Sequence, residues 1–177
     1  MTPSPTERLI LRAWTPDDAP AVLEIYRHAE VYRYLAPGSR PMQTLADAEM
    51  GLRRRMDRTA ELGFGLWAVE CRQSGEVLGA CGLNRLDETG EIEVAYHFRP
   101  DAWGRGIASE AARQCVEHGL TTLGLDVIVG ITHPENVASQ RVLKKAGLTY
   151  TGPATYFGIP VERFERRRDA RHVSMGD

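Results

Sequence analysis

Three short, largely apolar runs lie in the middle of the chain, at residues 66–71, 77–83 and 91–98, and the third of them alternates between apolar and polar positions. In the third run the apolar side chains occupy even positions, from Ile92 to Phe98, whereas polar side chains such as Glu93 and His97 occupy odd ones. A period of two is typical of a β-strand whose two faces differ chemically. Turn-forming residues at 74–75 and 87–90 separate the runs, so the pattern predicts a meander of hairpins.

Further strands and helices are predicted on both sides of this meander. Residues 8–14 form a short apolar run, and Thr15 followed by proline is a typical helix start. Helix-forming residues fill positions 44–62 and end at a glycine, and small side chains mark one helical face over residues 108–119. A buried strand over 126–132, a helix over 136–146 and a final strand from Leu148 onward complete the prediction.

The overall composition favours one domain without general affinity for polyanions. A length of 177 residues predicts a single domain that spans residues 1–177. The 22 Lys and Arg residues nearly balance 24 Asp and Glu residues, giving a formal net charge of −2, so a nucleic acid partner is not expected. The start of the chain lacks a signal-peptide layout, and no apolar run approaches the roughly 18 residues of a membrane span. We therefore expect a soluble, cytoplasmic protein with no membrane partner.

Cysteine and arginine residues add little chemistry to the picture. Cys71, Cys81 and Cys115 lie far apart in apolar contexts, which predicts buried thiols and no metal site. Four arginines of the 44–62 helix are interpreted as a solvated face, with an anion site as the alternative: Arg53, Arg54, Arg55 and Arg58. The charged segment 165–172 is expected to fray at the surface. An RNA-associated role through residues 163–171 is a weaker alternative.

A glycine-rich turn at residues 103–109 lies between a predicted strand and a predicted helix. Unpaired N–H groups and the helix dipole make such a turn a site for an anion, although two glycines can also serve only a tight connection. A dinucleotide fingerprint would require glycine where the chain has Ser109, and would lie on the first strand of a βαβ unit. A nucleoside-triphosphate loop would require Gly-Lys followed by Ser or Thr, which is absent.

The remaining interpretation is a cradle for the diphosphate of coenzyme A, and here the chain resembles a family. The segment Trp103-Gly-Arg-Gly-Ile-Ala resembles the coenzyme A signature of the GNAT N-acetyltransferases, Gln/Arg-x-x-Gly-x-Gly/Ala. The tryptophan departs from that signature. The Trp-Gly-Arg-Gly form of the segment is similar to that of the RimJ/RimL-like branch, the ribosomal-protein N-terminal acetyltransferases. Residues 8–12, 93–96 and 136–147 are also similar to that branch, in the same order along the chain.

The resemblance implies a fold and a cosubstrate. The expected fold is mixed α/β (α+β), with a central, mostly antiparallel, splayed sheet flanked by helices and acetyl-CoA between its fourth and fifth strands. The adenine end would lie near Arg105 and Lys144 or Lys145. The residues expected to bind the cosubstrate are Tyr96, His97, Phe98, Trp103, Gly104, Arg105, Gly106, Ile107, Ala108, Ser109, Asn136 and Lys144. No metal is expected.

The resemblance also implies direct acetyl transfer to an amine, with no acyl-enzyme and with a backbone N–H of the fourth strand holding the oxyanion. Glu93 is the expected general base, directly or through a water molecule; the alternative is a cross-strand ion pair or an exposed carboxylate. His97 is a second candidate base, or an ordinary surface histidine. Ser139 is the expected proton donor to the thiolate, or a serine that only satisfies the helix start. Candidates for a tyrosine donor are Tyr150 and Tyr156, and Cys115 is expected in the core.

The acceptor stays open at the level of sequence. Protein N-termini, polyamines, aminoglycosides and amino-acid-like metabolites all suit this scaffold, because the variable region 31–62 and the last strands would form the acceptor pocket. A coenzyme-binding sensor that keeps the cradle and transfers nothing is the alternative function. A homodimer is common in the branch that the chain resembles.

Overall fold

A computed structural model of the chain describes residues 1–35 and 38–169. The strands are β1 (Leu9–Arg12), β2 (Leu66–Cys71), β3 (Val77–Arg85), β4 (Ile92–Phe98), β5 (Val127–Thr132), β6 (Thr149–Tyr156) and β7 (Ile159–Arg167). The α-helices are α1 (Ala19–Tyr26), α2 (Ala29–Tyr32), α3 (Leu45–Leu62), α4 (Ile107–Thr121) and α5 (Val137–Lys145). Within these described residues no helix is both long and apolar enough to span a membrane.

One sheet of 7 strands joins all of these strands in the order β1-β2-β3-β4-β5-β7-β6. The strands β1 to β4 form the predicted antiparallel meander, whereas β4 and β5 run parallel and share a single residue pair, Glu93 opposite Val129. The two strands therefore diverge toward their carboxyl ends and leave a gap. This arrangement confirms the predicted mixed α/β class with a mostly antiparallel, splayed sheet.

Local capping residues set the ends of the helices, as the sequence predicts. The Thr44 hydroxyl accepts a hydrogen bond from the Asp47 N–H at 3.1 Å and starts α3, which ends at Gly63 with φ of 76°. The Asn136 side chain accepts from the Ser139 N–H at 3.1 Å and starts α5. These side chains satisfy N–H groups that the first turn of a helix leaves unpaired.

Two apolar clusters cover opposite faces of the sheet. On one face, small residues of α4 such as Ala111 and Cys115 pack against β3 and β4, as the pattern predicts. On the other face, α1 and α3 pack on Ala68 of β2 and Ala80 of β3. The side chains of these two residues point away from the face that α4 covers. Cys115 is fully buried with its Sγ 3.5 Å from that of Cys81, so it belongs to the core. The predicted burial is wrong for Cys71, which is partly exposed at the end of β2.

Two further expectations need correction. The single final strand is instead a hairpin, β6 and β7, in which β7 lies between β5 and β6. Residues 165–167 consequently belong to β7 and do not fray, because β7 pairs with strands on both sides; residues 170–172 lie outside the described residues. The solvated face of α3 is confirmed for Arg53 and Arg54 but is wrong for Arg55, which is partly buried against the ring of Tyr26.

Candidate active site

The two faces of β4 carry different chemistry. Glu93 lies opposite Asn84, and His97 lies opposite Ala80, on the face that α1 and α3 cover. Tyr96 lies on the other face, which α4 and α5 cover. Successive side chains of a strand point to opposite sides. One face of β4 therefore carries Glu93 and His97, and the other carries the phenol of Tyr96.

Glu93 is a partly buried carboxylate next to a neutral amide. The Asn84 side chain donates to its Oε1 at 3.1 Å. Burial raises the pKa of Glu93 to about 7, and the bond from Asn84 opposes this shift only in part. Neither alternative for Glu93 holds, since its cross-strand partner is an amide rather than a cation and the carboxylate is not freely exposed. A carboxylate with this pKa can take up and release a proton near neutral pH.

His97 points to the same face as Glu93 and is held by a buried phenol. The Oη of Tyr26 lies 2.9 Å from Nδ1 of His97, and the two rings meet edge to face at 5.5 Å. Burial, together with the positive charge of Arg55, lowers the pKa of His97 to about 4. The expectation of an ordinary surface histidine is therefore wrong. His97 stays neutral at the pH at which Glu93 titrates.

On the opposite face, Tyr96 and Ser139 form a hydroxyl pair. The Oη of Tyr96 lies 2.8 Å from Oγ of Ser139 and also donates to the Ser139 carbonyl at 3.1 Å. Burial raises the pKa of Tyr96, so this phenol keeps its proton. Ser139 is held by Asn136, which caps α5. The sequence alone did not single out the Tyr96 hydroxyl. A signal was present, because Tyr96 is a residue with a polar hydroxyl at a position of the strand that is otherwise apolar.

The two tyrosines that the sequence offered as proton donors bond elsewhere. Both lie on β6, where the Oη of Tyr156 donates to Glu91 at 2.6 Å and Tyr150 donates to Glu162. It is Tyr96 that contacts Ser139.

The edge of β4 that faces the gap carries unpaired backbone groups. The N–H of Arg99 donates to the carbonyl of Leu78 at 3.0 Å, so the odd residues of β4 turn their backbone groups toward β3. Alternation then turns the backbone groups of Tyr96 and Phe98 toward the gap, beyond the single pair with β5. Of these, the Phe98 carbonyl accepts a hydrogen bond from the Trp103 indole, whereas the other groups have no backbone partner within the described residues. Such an edge can accept an extended ligand as an added strand.

The glycine turn leads from this edge into α4. Gly104 and Gly106 have φ of 73° and 76°, a left-handed conformation that favours glycine. Gly106 caps α4 without a side-chain hydrogen bond, so the first N–H groups of the helix point outward unpaired. A side chain built on Gly104 would meet no atom within 4 Å, which shows that the turn opens to solvent. This geometry is suited to a diphosphate.

Neighbouring side chains brace the turn. The Arg8 guanidinium donates to the carbonyl of Arg105 at 3.0 Å and binds Glu110 with Nε at 2.7 Å. Trp103 donates its indole N–H to the Phe98 carbonyl at 2.9 Å, and its ring is 48% exposed. The tryptophan thereby ties the turn to the end of β4 and presents a flat apolar surface beside the gap.

The other predicted cosubstrate residues lie around the turn with different exposure. Ile107 is buried, so only its backbone faces the site, whereas Ala108 and Ser109 are partly exposed. A surface cavity beside the turn is lined by Gly106, Ser109 and Lys145, among others. Lys144 is exposed in the last turn of α5 and is not part of that lining.

Residues 8–149 match the family model of the acetyltransferase (GNAT) domain. The chain belongs to the GNAT acetyltransferase family. It is 32% identical over 148 residues to the N-acetyltransferase YoaA of Bacillus subtilis, covering 83% of this chain and 82% of YoaA. It is 30% identical over 148 residues to the N-acetyltransferase p20 of Bacillus licheniformis, again covering 83% and 82%.

Solved structures of GNAT acetyltransferases share this fold. The ribosomal L7/L12 acetyltransferase RimL, solved in complex with coenzyme A, superposes with a TM-score of 0.78 at 18% identity, covering 96% of this chain and 99% of RimL. A GNAT acetyltransferase of Bacillus anthracis superposes with a TM-score of 0.79 at 21% identity, covering 95% and 99%. These structures support the fold, whereas the family match and the N-acetyltransferase relatives show that the chain is an acetyl-CoA-dependent N-acetyltransferase. The open turn and the edge of β4 fit that cosubstrate.

Proposed function

We propose that this enzyme transfers the acetyl group of acetyl-CoA directly to a primary amine, either a protein N-terminus or a small-molecule amine. The main support for this proposal is the placement of chemical groups on the two faces and the edge of β4. Glu93 lies on one face, the Tyr96–Ser139 pair lies on the other, and the free backbone edge of the strand lies between them. A base and a proton donor thus approach the edge from opposite sides.

Binding of the donor would use backbone groups more than side chains. The N–H groups from Gly104 to Ser109 would hold the diphosphate, and the Tyr96 carbonyl and the Phe98 N–H would pair with the pantetheine arm. Asn136 would orient the pantetheine amides, and Lys145 would lie toward the adenine end. When bound, acetyl-CoA supplies an activated thioester carbonyl.

Glu93 would remove the protons that leave the amine. An ammonium ion has no free electron pair, so it first loses one proton, and the nitrogen loses another after it bonds to the thioester carbonyl carbon. The pKa of about 7 lets Glu93 accept a proton at neutral pH and return it to water. The Tyr96 N–H, the first beyond the β4–β5 pair to face the gap, would stabilise the carbonyl oxygen.

The Tyr96–Ser139 pair would protonate the departing sulfur. As the carbon–sulfur bond breaks, the Ser139 hydroxyl would donate its proton to the thiolate and recover one from Tyr96 or solvent. The products are an acetamide and the free thiol of coenzyme A, with protons balanced between Glu93 and this pair. No covalent acyl-enzyme is required.

Thiol release from acetyl-CoA tests this proposal across peptides with different N-termini, polyamines, aminoglycosides and small amines. Glu93→Gln should lower kcat with the best acceptor about 100-fold or more, because general base catalysis contributes about 10²–10⁴. Acetyl-CoA affinity, followed by calorimetry, should change little. Glu49→Gln removes an exposed carboxylate from α3 and is the matched control.

The two candidate functions predict different results. An enzyme releases thiol with at least one acceptor class and loses that activity in Glu93→Gln but not in Glu49→Gln. A coenzyme-binding sensor binds acetyl-CoA and releases no thiol with any amine, which would contradict the proposal.

A further inference from the structure

Arg55 is a positively charged residue on the inner side of α3. Its guanidinium carbon lies 4.3 Å from the centre of the Tyr26 ring, a cation–π contact. Its Nη1 atom is inaccessible to solvent and has no hydrogen-bond partner. The residue one turn further along α3, Arg58, has carboxylate partners in Asp87 and Glu61, but no ion pair links Arg55 to a carboxylate within residues 1–35 and 38–169.

The stacking on Tyr26 leaves one guanidinium atom, Nη1, without a hydrogen-bond acceptor. The N–H donors of a guanidinium lie in the plane of the group, so an aromatic ring above that plane leaves them free to bind an acceptor at the edge. A buried charged donor without a partner is costly and uncommon in native proteins. The planar fork matches the two oxygens of a carboxylate.

Arg55 lies on the same side of the sheet as the proposed base. Its stacking partner Tyr26 bonds to His97 on β4, and His97 shares a strand face with Glu93. Tyr32 of α2 meets the Tyr26 ring edge to face at 6.3 Å and lines the same region. Arg55, Tyr26 and His97 therefore extend the acceptor face of β4 toward its carboxyl end.

We propose that Arg55 binds a carboxylate carried by the acceptor, so that the enzyme prefers amines that also bear a carboxylate. This inference rests on the proposed function. Glu93 and His97 are separated by four residues, or about 13 Å along the strand. An acceptor whose carboxylate lies several bonds from its amine suits this spacing better than an α-amino acid.

The test compares 5-aminopentanoate with pentylamine, which lacks the carboxylate, and with pentanoate, which lacks the amine. Binding is measured by calorimetry in the presence of coenzyme A, and acetylation by thiol release. We expect the enzyme to favour 5-aminopentanoate over pentylamine at least tenfold in both assays, with pentanoate competing. Arg55→Met should abolish this preference while leaving the value for pentylamine within about threefold.

Two further variants keep the test decisive. Arg53→Met removes an exposed arginine from the same helix and should retain the preference. Arg55→Lys keeps the charge but loses the planar fork, so it should retain only part of it. The inference is overturned if the wild-type enzyme does not favour 5-aminopentanoate in binding, or if Arg55→Met keeps the preference. Carboxylate-dependent binding without acetylation of any amine would instead contradict the proposed function.

Discussion

At the scale of single residues, the burial of Glu93 links catalysis to stability. The pKa of a glutamate in an unfolded chain is about 4.3, whereas the pKa of Glu93 in the folded protein is about 7. Between these two pH values the folded protein holds a proton that the unfolded chain has released. The free energy of unfolding therefore falls as pH rises through this window, and the destabilisation is complete above pH 7.

Glu93→Gln should consequently stabilise the protein while it removes the base. At pH 8 we expect the free energy of unfolding to rise by about 1–3 kcal/mol, because the amide carries no charge to bury. At pH 3 the difference should nearly vanish, since the glutamate is then protonated in both states. Urea unfolding of the wild type and the variant at both pH values measures this effect.

Glu91 provides a control of opposite sign at the start of the same strand. Burial opposes its ionisation, but bonds from Tyr156 and Arg163 outweigh that effect and lower the pKa of Glu91. Glu91→Gln should therefore reduce stability at pH 8. If Glu93→Gln destabilises at pH 8 as Glu91→Gln does, the carboxylate of Glu93 is a structural group and not a base.

The sequence indicated some of these residues and concealed others. The parity of β4 and the cosubstrate motif were sufficient for Glu93 and Ser139 as candidates. Arg55 was assigned to solvent because of its charge, although it lies three residues after Leu52 on the buried face of α3. The spacing from Leu52 indicated the inner face, whereas the ring of Tyr26 that stabilises the charge there is a tertiary contact that helical periodicity does not encode.

At the scale of elements, the glycine turn joins the free edge of β4 to the first turn of α4. The two places where a cosubstrate would bind are thus consecutive in the chain and held in one rigid connection. Arg8 of the amino-terminal segment braces this connection from outside through the Arg105 carbonyl.

Replacement of Gly106 by alanine tests the turn. Gly106 and Gly63 share a φ of 76°, so alanine at either position should cost about 1 kcal/mol of stability. Only Gly106→Ala should weaken acetyl-CoA binding, about tenfold, because it strains the turn that carries the proposed cradle and places a methyl group 3.5 Å from the Arg8 guanidinium that braces it. Calorimetric titration of both variants separates the two effects, and equal affinity in both would contradict the placement of the diphosphate.

Two elements that the sequence did not predict, the turn between β6 and β7 and the helix α2, have no local sequence signal. The turn between β6 and β7 places Phe157 at φ of 52° and Gly158 at φ of 71°, where Asn or Asp normally precedes the glycine. Without that turn signature, residues 149–167 resemble one continuous strand region. The helix α2 spans only Ala29–Tyr32, which is too short to show a helical period.

At the scale of the whole molecule, the sheet consists of two parts joined by little backbone pairing. The strands β1 to β4 form one part and β5, β7 and β6 the other, with a single residue pair between them. Arg163 of β7 crosses this junction and binds Glu91 at 2.8 Å, and Tyr156 of β6 bonds to the same carboxylate. This cluster supports the closed end of the gap.

Arg163→Met should therefore destabilise the protein more than loss of an exposed ion pair. We expect a loss of about 1–3 kcal/mol, since the variant leaves the partly buried Glu91 without its cation. The melting temperature should fall by roughly 2–4 °C per kcal/mol. Arg168→Met breaks the exposed pair with Asp126 and should cost less than about 1 kcal/mol. Equal losses in calorimetry would show that the cluster does not support the junction.

The alternation along β4 also bears on how such an enzyme can diverge. Substitutions in α1 and α3 reach only the odd positions of the strand, whereas those in α4 and α5 reach only the even ones. On the proposed assignment of roles, a lineage can therefore exchange one acceptor for another by mutation on one side, while the proposed proton donor to the thiolate is inherited unchanged on the other.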